Sequence, residues 1–404
     1  MRILQLTPQL PWPPDNGGRV GIFNILKNLA RHHSITLVSF VTEVSKTSGA
    51  ALEPYCDRII TVQSQTASSK WGMFKNLFSA EPYTMAKFFS PKMAAEIRAI
   101  THSGAIDLVH IDHLHMAGYI DQVPPGLPIV LREHNIESAI LRRFAEHASN
   151  PAIRWYVGLQ AQRLKRYEAT MAPLFDRCIT VTDVDASVLR QMAPAARVEA
   201  IPAGVDTELF HPNAVPVQAE PFRIVTTGDY SWAPTADGLT QFVRTVFPLI
   251  RASLPEVRLS VVGRNPPDWL RRLTPESGID TLGRVADVRP EILRGAVFVV
   301  PTRIGSGIRL KILEAMALGR PVVSTSIGCE GIDAVNGVNL VVADAPDVFA
   351  AAVVRLLGNP SERDRLAAAA VHLIETRYTW AALVDQLSAL YETLVEERSR
   401  EADK

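Results

Sequence analysis

The chain has 404 residues and balanced charge, with 42 Lys or Arg against 42 Asp or Glu. This length indicates about two or three domains, and the 47% hydrophobic content excludes a mostly disordered protein. A general nucleic-acid-binding protein would be more basic, so we set that class aside. The three cysteines are odd in number and widely scattered, which fits a reducing compartment.

The N-terminal segment is a short apolar run interrupted by Pro8. It lacks the long apolar core of a signal peptide. No run of about 18 apolar residues occurs anywhere in the sequence, so we expect no membrane-spanning helix. We therefore expect a cytoplasmic protein.

The first half of the chain alternates short apolar blocks with longer amphipathic stretches. We predict helices over 21–30 and over one long stretch, 138–171, and strands at 3–6, 35–40, 59–62, 108–111, 129–131 and 178–181. The apolar blocks are continuous rather than alternating, which is typical of parallel strands covered by helices on both faces.

The same pattern resumes after residues 213–221, a segment with two prolines that we interpret as a linker. Further strands are predicted at 223–227, 258–262, 279–282, 297–300, 321–325 and 339–342. Ligands of such sheets bind outside the carboxyl ends of the strands, so two halves predict a site in a cleft between them. The tail has a helical pattern, and we expect its charged end, 396–404, to be frayed and solvated.

The most informative segment is 301–325, where a strand leads into a glycine loop and then a helix. Gly305 and Gly307 would let backbone N–H groups approach an anion, and the helix start adds its positive dipole end. Arg309 and Lys311 lie in that first turn, where the dipole disfavours cations unless an anion binds there. With Glu314 following, the pattern indicates an anion site rather than an ordinary strand-to-helix turn.

These residues resemble glycosyltransferase family 4, the retaining, nucleotide-sugar-dependent enzymes of the GT-B type. The family carries this loop and helix with a glutamate before Ala-Met-Ala, followed by Gly-x-Pro-Val-Val. Five other segments agree in order and spacing, so the resemblance covers nearly the full chain: 13–18, 201–212, 225–234, 259–263 and 282–285. The pattern Gly-x-Gly-x-Arg-x-Lys before the glutamate resembles that of a separate branch of the family, which is often linked to bacterial surface polysaccharides.

The resemblance implies an α/β fold of two Rossmann-like domains facing each other across a cleft, with a C-terminal helix returning to the first domain. Residues 1–205 would bind the acceptor, and the helix in 379–404 would pack back on them. Residues 220–378 would bind the nucleotide-sugar donor. The implied reaction moves a hexose-type unit, with retention, to a glycan or lipid-linked acceptor in bacterial polysaccharide or glycoconjugate biosynthesis.

The resemblance also implies roles for single residues. Glu314 would accept hydrogen bonds from the ribose hydroxyls, because a carboxylate offers paired acceptor oxygens. Arg309 and Lys311 would stabilise the departing diphosphate without a metal or a protein nucleophile. His134 would contact the donor sugar, although a helix cap is the alternative. The other implied donor contacts are Gly17, Gly18, Gly228, Arg264, Arg284, Gly305, Ser306 and Gly307.

Two positions depart from the family pattern. The family pairs two glutamates, and the first would stand eight positions before Glu314, where this chain has Ser306. The loop 228–232 also lacks the family's basic residue, for which Arg309 and Lys311 would compensate. Both departures bear on the sugar and the rate rather than on the fold.

Three closely spaced histidines raise the possibility of a metal site, since imidazoles bind zinc: His110, His113 and His115. A strand over 107–111 would send alternate side chains to opposite faces, and no cysteine is near. We therefore expect no metal, and leave open that His113 or His115 faces the acceptor.

Two stretches bear on a membrane. Residues 70–89 interleave aromatic and cationic side chains, and 139–167 hold six Lys or Arg against one acid, Glu146. They predict either peripheral contact with an anionic membrane, where lipid-linked acceptors lie, or a core-facing aromatic stripe with a solvated basic face.

Three other functions remain as alternatives. An epimerase on the same architecture would need acid and base residues flanking the sugar, which the loop and helix do not supply. A nucleotide-sugar-binding protein without transfer activity is suggested by Ser306. An NAD-dependent enzyme is disfavoured, because Pro-Gln-Leu-Pro follows the first strand instead of Gly-x-Gly-x-x-Gly.

Overall fold

A computed structural model of the protein describes residues 1–41, 43–63, 69–148, 150–305 and 307–402. The chain divides into two compact units, which we call the first and second domains. The first comprises Met1–Pro202 and Trp380–Lys404, and the second comprises Ala203–Thr379. Each is built on a parallel sheet flanked by helices, so the predicted two-domain α/β fold is confirmed.

The first domain holds a sheet of seven strands. In chain order they are β1 (Arg2–Thr7), β2 (Ser34–Val41), β3 (Arg58–Gln63), β4 (Leu108–Asp112), β5 (Ile129–Glu133), β6 (Arg177–Thr180) and β7 (Val198–Ala200). Their spatial order is β3-β2-β1-β4-β5-β6-β7. The predicted six strands are confirmed, and only the short β7 escaped prediction. Both β4 and β5 are buried along their whole length, including their polar residues His110, Asp112, Arg132 and Glu133.

Helices cover this sheet between the strands. They are α1 (Gly17–Leu29), α2 (Lys70–Asn76), α3 (Tyr83–Ala86), α4 (Pro91–Thr101), α5 (Glu137–His147), α6 (Pro151–Met171) and α7 (Asp183–Met192), with 3₁₀ turns at Glu43–Tyr55, Leu114–Gln122 and Ala172–Leu174. The single long helix predicted over 138–171 is wrong, because α5 and α6 are separate. Asn150 caps α6 through its side chain and Pro151 occupies the first turn, a combination that starts a new helix.

The second domain holds a sheet of six strands. They are β8 (Glu220–Asp229), β9 (Arg258–Arg264), β10 (Ile279–Gly283), β11 (Gly295–Val300), β12 (Val322–Ser324) and β13 (Val341–Val342), in the spatial order β10-β9-β8-β11-β12-β13. All six predicted strands are confirmed. The helices are α8 (Ala233–Gln241), α9 (Phe247–Ser253), α10 (Asp268–Arg271), α11 (Arg289–Arg294), α12 (Leu310–Ala317), α13 (Pro346–Gly358) and α14 (Pro360–Arg377), with a π turn at Phe242–Val246 and a 3₁₀ turn at Pro275–Ser277.

The segment predicted as a linker belongs to the second domain instead. Val215 and Val217 pack against the core of that domain, and β8 begins at Glu220. The segment is therefore attached to the second domain through its valines, although Pro216 and Pro221 are exposed.

The last helix, α15 (Trp380–Ala402), is part of the first domain. Tyr391 is buried, and its hydroxyl lies 2.8 Å from Nδ1 of His110 on β4. Near the end of the helix, Arg398 forms a hydrogen bond with Asp176. The frayed end predicted from residue 396 onward is therefore wrong for the described residues, which stay helical to Ala402.

Each sheet reverses its direction of winding at one point. Neighbours of β1 are β2 on one side and β4 on the other, and neighbours of β8 are β9 and β11. Loops diverge at such a point, so the carboxyl ends of these strands leave a crevice where ligands of open α/β sheets bind. The β1/β4 and β8/β11 pairs thus mark one candidate binding region in each domain.

Candidate functional site

In the second domain, the loop after β11 is shaped by its glycines. Gly305 has φ 143° and Gly307 has φ 74°, conformations that residues with side chains rarely adopt. A Cβ on Gly305 would lie 2.2 Å from Nη2 of Arg309, so a side chain there would displace Arg309 as well as strain the backbone. Arg309 folds back over the loop and donates a hydrogen bond to the carbonyl oxygen of Gly307 at 2.5 Å. Ser306, predicted to contact the donor, lies outside the described residues.

Lys311 on α12 reaches the neighbouring strand. Its Nζ donates a hydrogen bond to the carbonyl oxygen of Thr227, near the end of β8, at 2.9 Å. A Cβ on Gly228 would stand 3.6 Å from the same Nζ. The cation predicted to replace a missing basic residue in the loop 228–232 is thus placed at the start of that loop.

Burial changes the titration of this helix. Burial, reinforced by Arg309, lowers the pKa of Lys311 to about 8, although Glu314 opposes the shift. Burial also raises the pKa of Glu314 to about 7 against the effect of Lys311. The two side chains are three residues apart on the same helical face. An anion bound here would favour the charged form of Lys311.

The ends of β8 and β9 touch through glycine. A Cβ on Gly263 would lie 1.8 Å from the carbonyl oxygen of Gly228, and Gly263 has φ 134°. Just beyond, Arg264 Nη2 donates a hydrogen bond to Asp229 at 2.9 Å. Arg264 thereby lies at the same edge as Gly228, whereas Arg284 is exposed in the loop after β10.

In the first domain, helix α1 starts directly after the loop that follows β1. Asn16 caps it by accepting a hydrogen bond from the backbone N–H of Arg19, so the first turn contains Gly17 and Gly18. A Cβ on Gly18 would lie 3.6 Å from Nε2 of His113, and one on Gly21 would lie 3.3 Å from Cε1 of His134. The start of α1 therefore borders the residues that follow β4 and β5.

His134 is held by a buried charge network. Its Nε2 lies 3.0 Å from Oδ1 of Asp112 and 2.5 Å from Nη1 of Arg132, and Arg132 also donates to Asp112 at 3.2 Å. Gln5 donates to the second carboxylate oxygen of Asp112 at 2.8 Å. His134 follows β5 and packs into this network, so its surroundings are those of an oriented imidazole rather than of a helix cap.

The same network sets the protonation states of Asp112 and His134. Burial opposes ionisation of Asp112, but His110, His134 and Arg132 together hold its pKa well below the usual range. Burial, with help from Arg132, lowers the pKa of His134 to about 4, so this imidazole is neutral at neutral pH. A neutral imidazole beside a buried carboxylate suits hydrogen bonding to a sugar hydroxyl.

The two histidines after β4 form a further group. His113 directly precedes the 3₁₀ turn and His115 lies within it, so both follow the strand. The expectation that alternate side chains of a strand point to opposite faces therefore applies only to His110. One ligand atom each from His113, His115 and Glu137 lie within 4.8 Å of one another. Burial lowers the pKa of His113 well below its usual range and that of His115 to about 4, while burial raises the pKa of Glu137 to about 7.

Sequence reasoning missed three contributors to these sites. Asp112 ends a buried apolar block, which is an unusual position for an acid and could have signalled a role. Glu137, the first residue of α5, was given no role in the sequence analysis. Tyr391 is separated from His110 by 281 positions in the sequence, so no local pattern could have paired them.

Two Rossmann-like domains, the second with a glycine loop between β11 and α12, form the architecture of the GT-B glycosyltransferases. Residues 15–209 match the family described as Glycosyltransferase Family 4, and residues 221–359 match the family described as Glycosyl transferases group 1. The chain belongs to glycosyltransferase family 4, as the sequence predicts.

Relatives agree over almost the whole chain. An uncharacterized 44.6 kDa protein in the cps region of Klebsiella pneumoniae is 21% identical and covers 93% of this chain and 96% of its own. The D-inositol 3-phosphate glycosyltransferase of Mycolicibacterium smegmatis is 26% identical, covering 94% of this chain and 87% of its own.

Solved structures share the fold. Sucrose-phosphate synthase from Thermosynechococcus elongatus has a TM-score of 0.71 at 17% identity and covers 98% of this chain and 100% of its own. HepE of Anabaena in complex with UDP has a TM-score of 0.68 at 16% identity, and the match covers 97% of this chain and 100% of HepE. Among the described residues, no helix is long and apolar enough to cross a membrane.

Proposed function

We propose that this glycosyltransferase moves a hexose-type unit, with retention, from a nucleoside diphosphate sugar to a glycan or lipid-linked acceptor in bacterial polysaccharide biosynthesis. The second domain would bind the donor and the first the acceptor. One observation carries the donor half of the proposal. Two cations, Arg309 and Lys311, stand beside a glycine loop at the β8/β11 reversal of the second sheet.

The donor diphosphate would lie against this loop. Backbone N–H groups of the loop and the start of α12 favour an anion, and each charge-assisted contact from Arg309 or Lys311 would contribute about 1.5–3 kcal/mol. These cations would stabilise the departing diphosphate in place of a metal at that position. Glu314, three residues further along the helix, would accept hydrogen bonds from the ribose, and Gly228, Arg264 and Arg284 would lie around the nucleotide.

The transferred sugar would be contacted by His134, whose ring is oriented by Asp112 and Arg132. Gly17 and Gly18 would allow close approach of the α1 backbone to the diphosphate. In a front-face displacement the leaving phosphate takes the proton of the acceptor, so a protein nucleophile is not required. The chemistry then depends on preorganised charge and orientation.

The comparisons support particular donors and a biological setting. HepE of Anabaena has been solved with UDP and with UDP-glucose, which makes a uridine nucleotide the first donor to test. The relative from Klebsiella pneumoniae is described by its place in the cps region, which supports a polysaccharide role.

Thermal shift against UDP-, GDP-, ADP- and TDP-sugars tests the donor site. We expect one donor to raise the melting temperature, and Glu314→Ala to abolish that rise. Glu256→Ala, an exposed acid of the same domain, is the matched control and should respond like the unsubstituted protein. If no donor stabilises the protein, or if the response survives Glu314→Ala, the placement of the donor site is wrong.

Transfer itself needs a separate assay. The selected donor is incubated with and without a panel of glycan and lipid-linked acceptors, and the anomeric configuration of the product is read by NMR. Retained configuration with an acceptor supports the proposal. Inversion contradicts the mechanism, conversion of the donor sugar without acceptor favours an epimerase, and binding without any reaction favours a binding protein.

We also propose that the first domain contacts the cytoplasmic face of an anionic membrane. Trp71 and Phe78 on and after α2 are 63% and 84% exposed, and Trp155 on α6 is 63% exposed. They are not the core-facing stripe considered from the sequence. Gln160 of α6 donates to Asn76 of α2 at 3.0 Å, so the two helices form one surface.

Cations accompany this aromatic surface. Lys75 Nζ lies 5.2 Å from the ring centroid of Trp71, and the exposed basic residues of α5 and α6 are Arg142, Arg154, Lys165 and Arg166. Arg163 is left out because it is half-buried and donates to the carbonyl oxygens of Asn76 and Leu77, whereas Arg154 stays exposed although it donates to the carbonyl oxygen of Ala148. Aromatic side chains with surrounding positive charge suit the interface of an anionic bilayer.

Sedimentation with vesicles tests this contact. We expect binding to phosphatidylglycerol vesicles at low salt, weak binding to phosphatidylcholine vesicles, and loss of binding in Trp71→Ser with Phe78→Ser. Leu174→Ser, another exposed apolar residue of the first domain, serves as the control. Failure to sediment with anionic vesicles would refute the proposal.

A further inference from the structure

Three side chains of the first domain converge beside His134: His113, His115 and Glu137. One ligand atom of each lies within 4.8 Å of the other two. We propose that these three side chains hold a divalent transition-metal ion such as Zn²⁺. This site goes beyond the proposed donor chemistry and does not depend on it, since the cations assigned to the diphosphate belong to the second domain.

The topology explains the convergence. His113 and His115 follow the carboxyl end of β4, and Glu137 is the first residue of α5 after β5. These strands are parallel neighbours, with Asp112 opposite Arg132. The segments that leave them therefore start from the same edge of the sheet.

The ligand set is suited to such an ion. Two imidazoles and one carboxylate are used by catalytic zinc sites and by other divalent transition metals. Bond lengths of about 2.0–2.2 Å would bring ligand atoms to about 3.4 Å from each other in a tetrahedral site. The present separations are at most 4.8 Å, so they would have to shrink by no more than about 1.4 Å, which side-chain rotation can supply.

An unsatisfied nitrogen provides a second observation. Nε2 of His113 is buried and has no hydrogen-bond partner among the described residues. Leaving a buried polar atom unpaired costs about 1–3 kcal/mol, so such atoms call for an explanation.

Nearby cations make the carboxylate essential. Lys87 acts on His115 and Arg132 acts on His113, and both would repel a metal ion, whereas the charge of Asp112 acts on His113 in the opposite sense. Asp112 cannot offset them by ligating, because Gln5 and Arg132 already occupy its oxygens. Glu137 is therefore the negative ligand of the site, and its loss should weaken binding as much as loss of a histidine.

Three protein ligands leave at least one position open on a four-coordinate ion. All three residues are partly exposed, so the proposed open position would not be sealed within the core. It would take an oxygen ligand, either water or a hydroxyl or phosphate oxygen of a substrate. Gly18, whose Cβ would stand 3.6 Å from Nε2 of His113, leaves room beside that imidazole.

Direct metal binding tests the proposal without any activity assay. Chelator-treated full-length protein is titrated with Zn²⁺ by calorimetry and with Co²⁺ by visible absorption. We expect one equivalent to bind, and His115→Ala and Glu137→Gln each to weaken binding by about tenfold or more. His32→Ala and Glu146→Gln remove an exposed histidine of the same domain and an exposed acid of the same helix, and should leave binding unchanged.

The outcomes separate clearly. Absence of binding at one equivalent, or binding that both ligand variants retain, would overturn the site. Circular dichroism of the metal-free variants shows whether they are folded. If either is not, proton NMR of the Co²⁺ form of the unsubstituted protein decides, with shifted imidazole N–H signals from two histidines expected and their absence contradicting the site.

Discussion

Lys311 donates a hydrogen bond from its ammonium group to the carbonyl oxygen of Thr227 across 2.9 Å. The contact joins α12 to the end of β8, whose following loop has no Lys or Arg between Gly228 and Trp232. Lys311 of α12 thus places a cation beside the loop after β8, which has no cation of its own. This arrangement makes the charge of Lys311 the most direct point at which to test donor binding.

Lys311→Met should weaken the binding of a nucleoside diphosphate by about 10- to 100-fold, as expected for one charge-assisted contact of roughly 1.5–3 kcal/mol. Calorimetric titration with the donor identified by thermal shift measures this. Arg355→Met removes an exposed cation of α13 that pairs with Glu362, and should bind normally. Equal binding by the Lys311 variant and the control would show that the diphosphate lies elsewhere.

Donor binding should depend on pH through the same helix. The pKa of Lys311 is lowered to about 8 and that of Glu314 is raised to about 7. Above pH 8 the ammonium loses its proton, so affinity should fall by up to about tenfold per pH unit. Below pH 7 the carboxylate gains a proton, and ribose binding should weaken.

Affinity for the nucleotide sugar should therefore be highest between about pH 7 and 8. Titrations from about pH 6 to 9.5 would show this, and Lys311→Arg should remove the alkaline decline because a guanidinium stays charged. A flat profile in the unsubstituted protein would mean that neither group meets the donor.

The close approach of Gly263 to Gly228 should be required for a stable second domain. Gly263→Ala would place a Cβ 1.8 Å from a backbone oxygen at φ 134°, and we expect a loss of about 3 kcal/mol in the free energy of unfolding. Gly283→Ala is the matched control, with φ 68° but no atom within 4 Å, and should cost about 1–2 kcal/mol. Calorimetric melting that ranks the two variants equally would contradict the clash.

The fold was largely predictable because buried parallel strands contain runs of apolar residues that can be recognised in the sequence. β4, β5 and β11 are buried throughout, and each was recognised. The prediction failed where hydrophobic periodicity carries no information about the structure. The helical pattern continues across Asn150 and Pro151, so the break between α5 and α6 depended on capping chemistry that periodicity does not register.

The candidate sites were predictable to the extent that they are local. The glycine loop, Arg309, Lys311 and Glu314 are contiguous, so one segment carried the prediction. The contact of Lys311 with Thr227 spans 84 positions, and the grouping of His113 with Glu137 depends on β4 and β5 being neighbours. Such relationships are set by tertiary structure and have no signature in residue order.

Tyr391→Phe should loosen the attachment of α15 to the first domain. It removes the hydroxyl that lies 2.8 Å from Nδ1 of His110 and leaves a buried nitrogen unpaired, at a cost of about 1–3 kcal/mol. Domains of this size lose about 2–4 °C in melting temperature per kcal/mol. Thr393→Ala on the exposed side of the same helix should change melting little, and a Tyr391 variant as stable as that control would refute the contact.

Asp112→Asn should slow sugar transfer while leaving nucleotide affinity intact. Asp112 contacts both His134 and Arg132, and an uncharged amide would release the imidazole from its present orientation. Misplacing a positioned group of this kind costs on the order of tenfold to a hundredfold in rate. The measurement is steady-state transfer at saturating donor, with the nucleotide dissociation constant determined in parallel.

His134→Ala alone and combined with Asp112→Asn completes the comparison, since two residues acting through one imidazole should give nearly the same loss together as His134→Ala gives alone. Additive losses would mean that Asp112 acts on the reaction independently of His134.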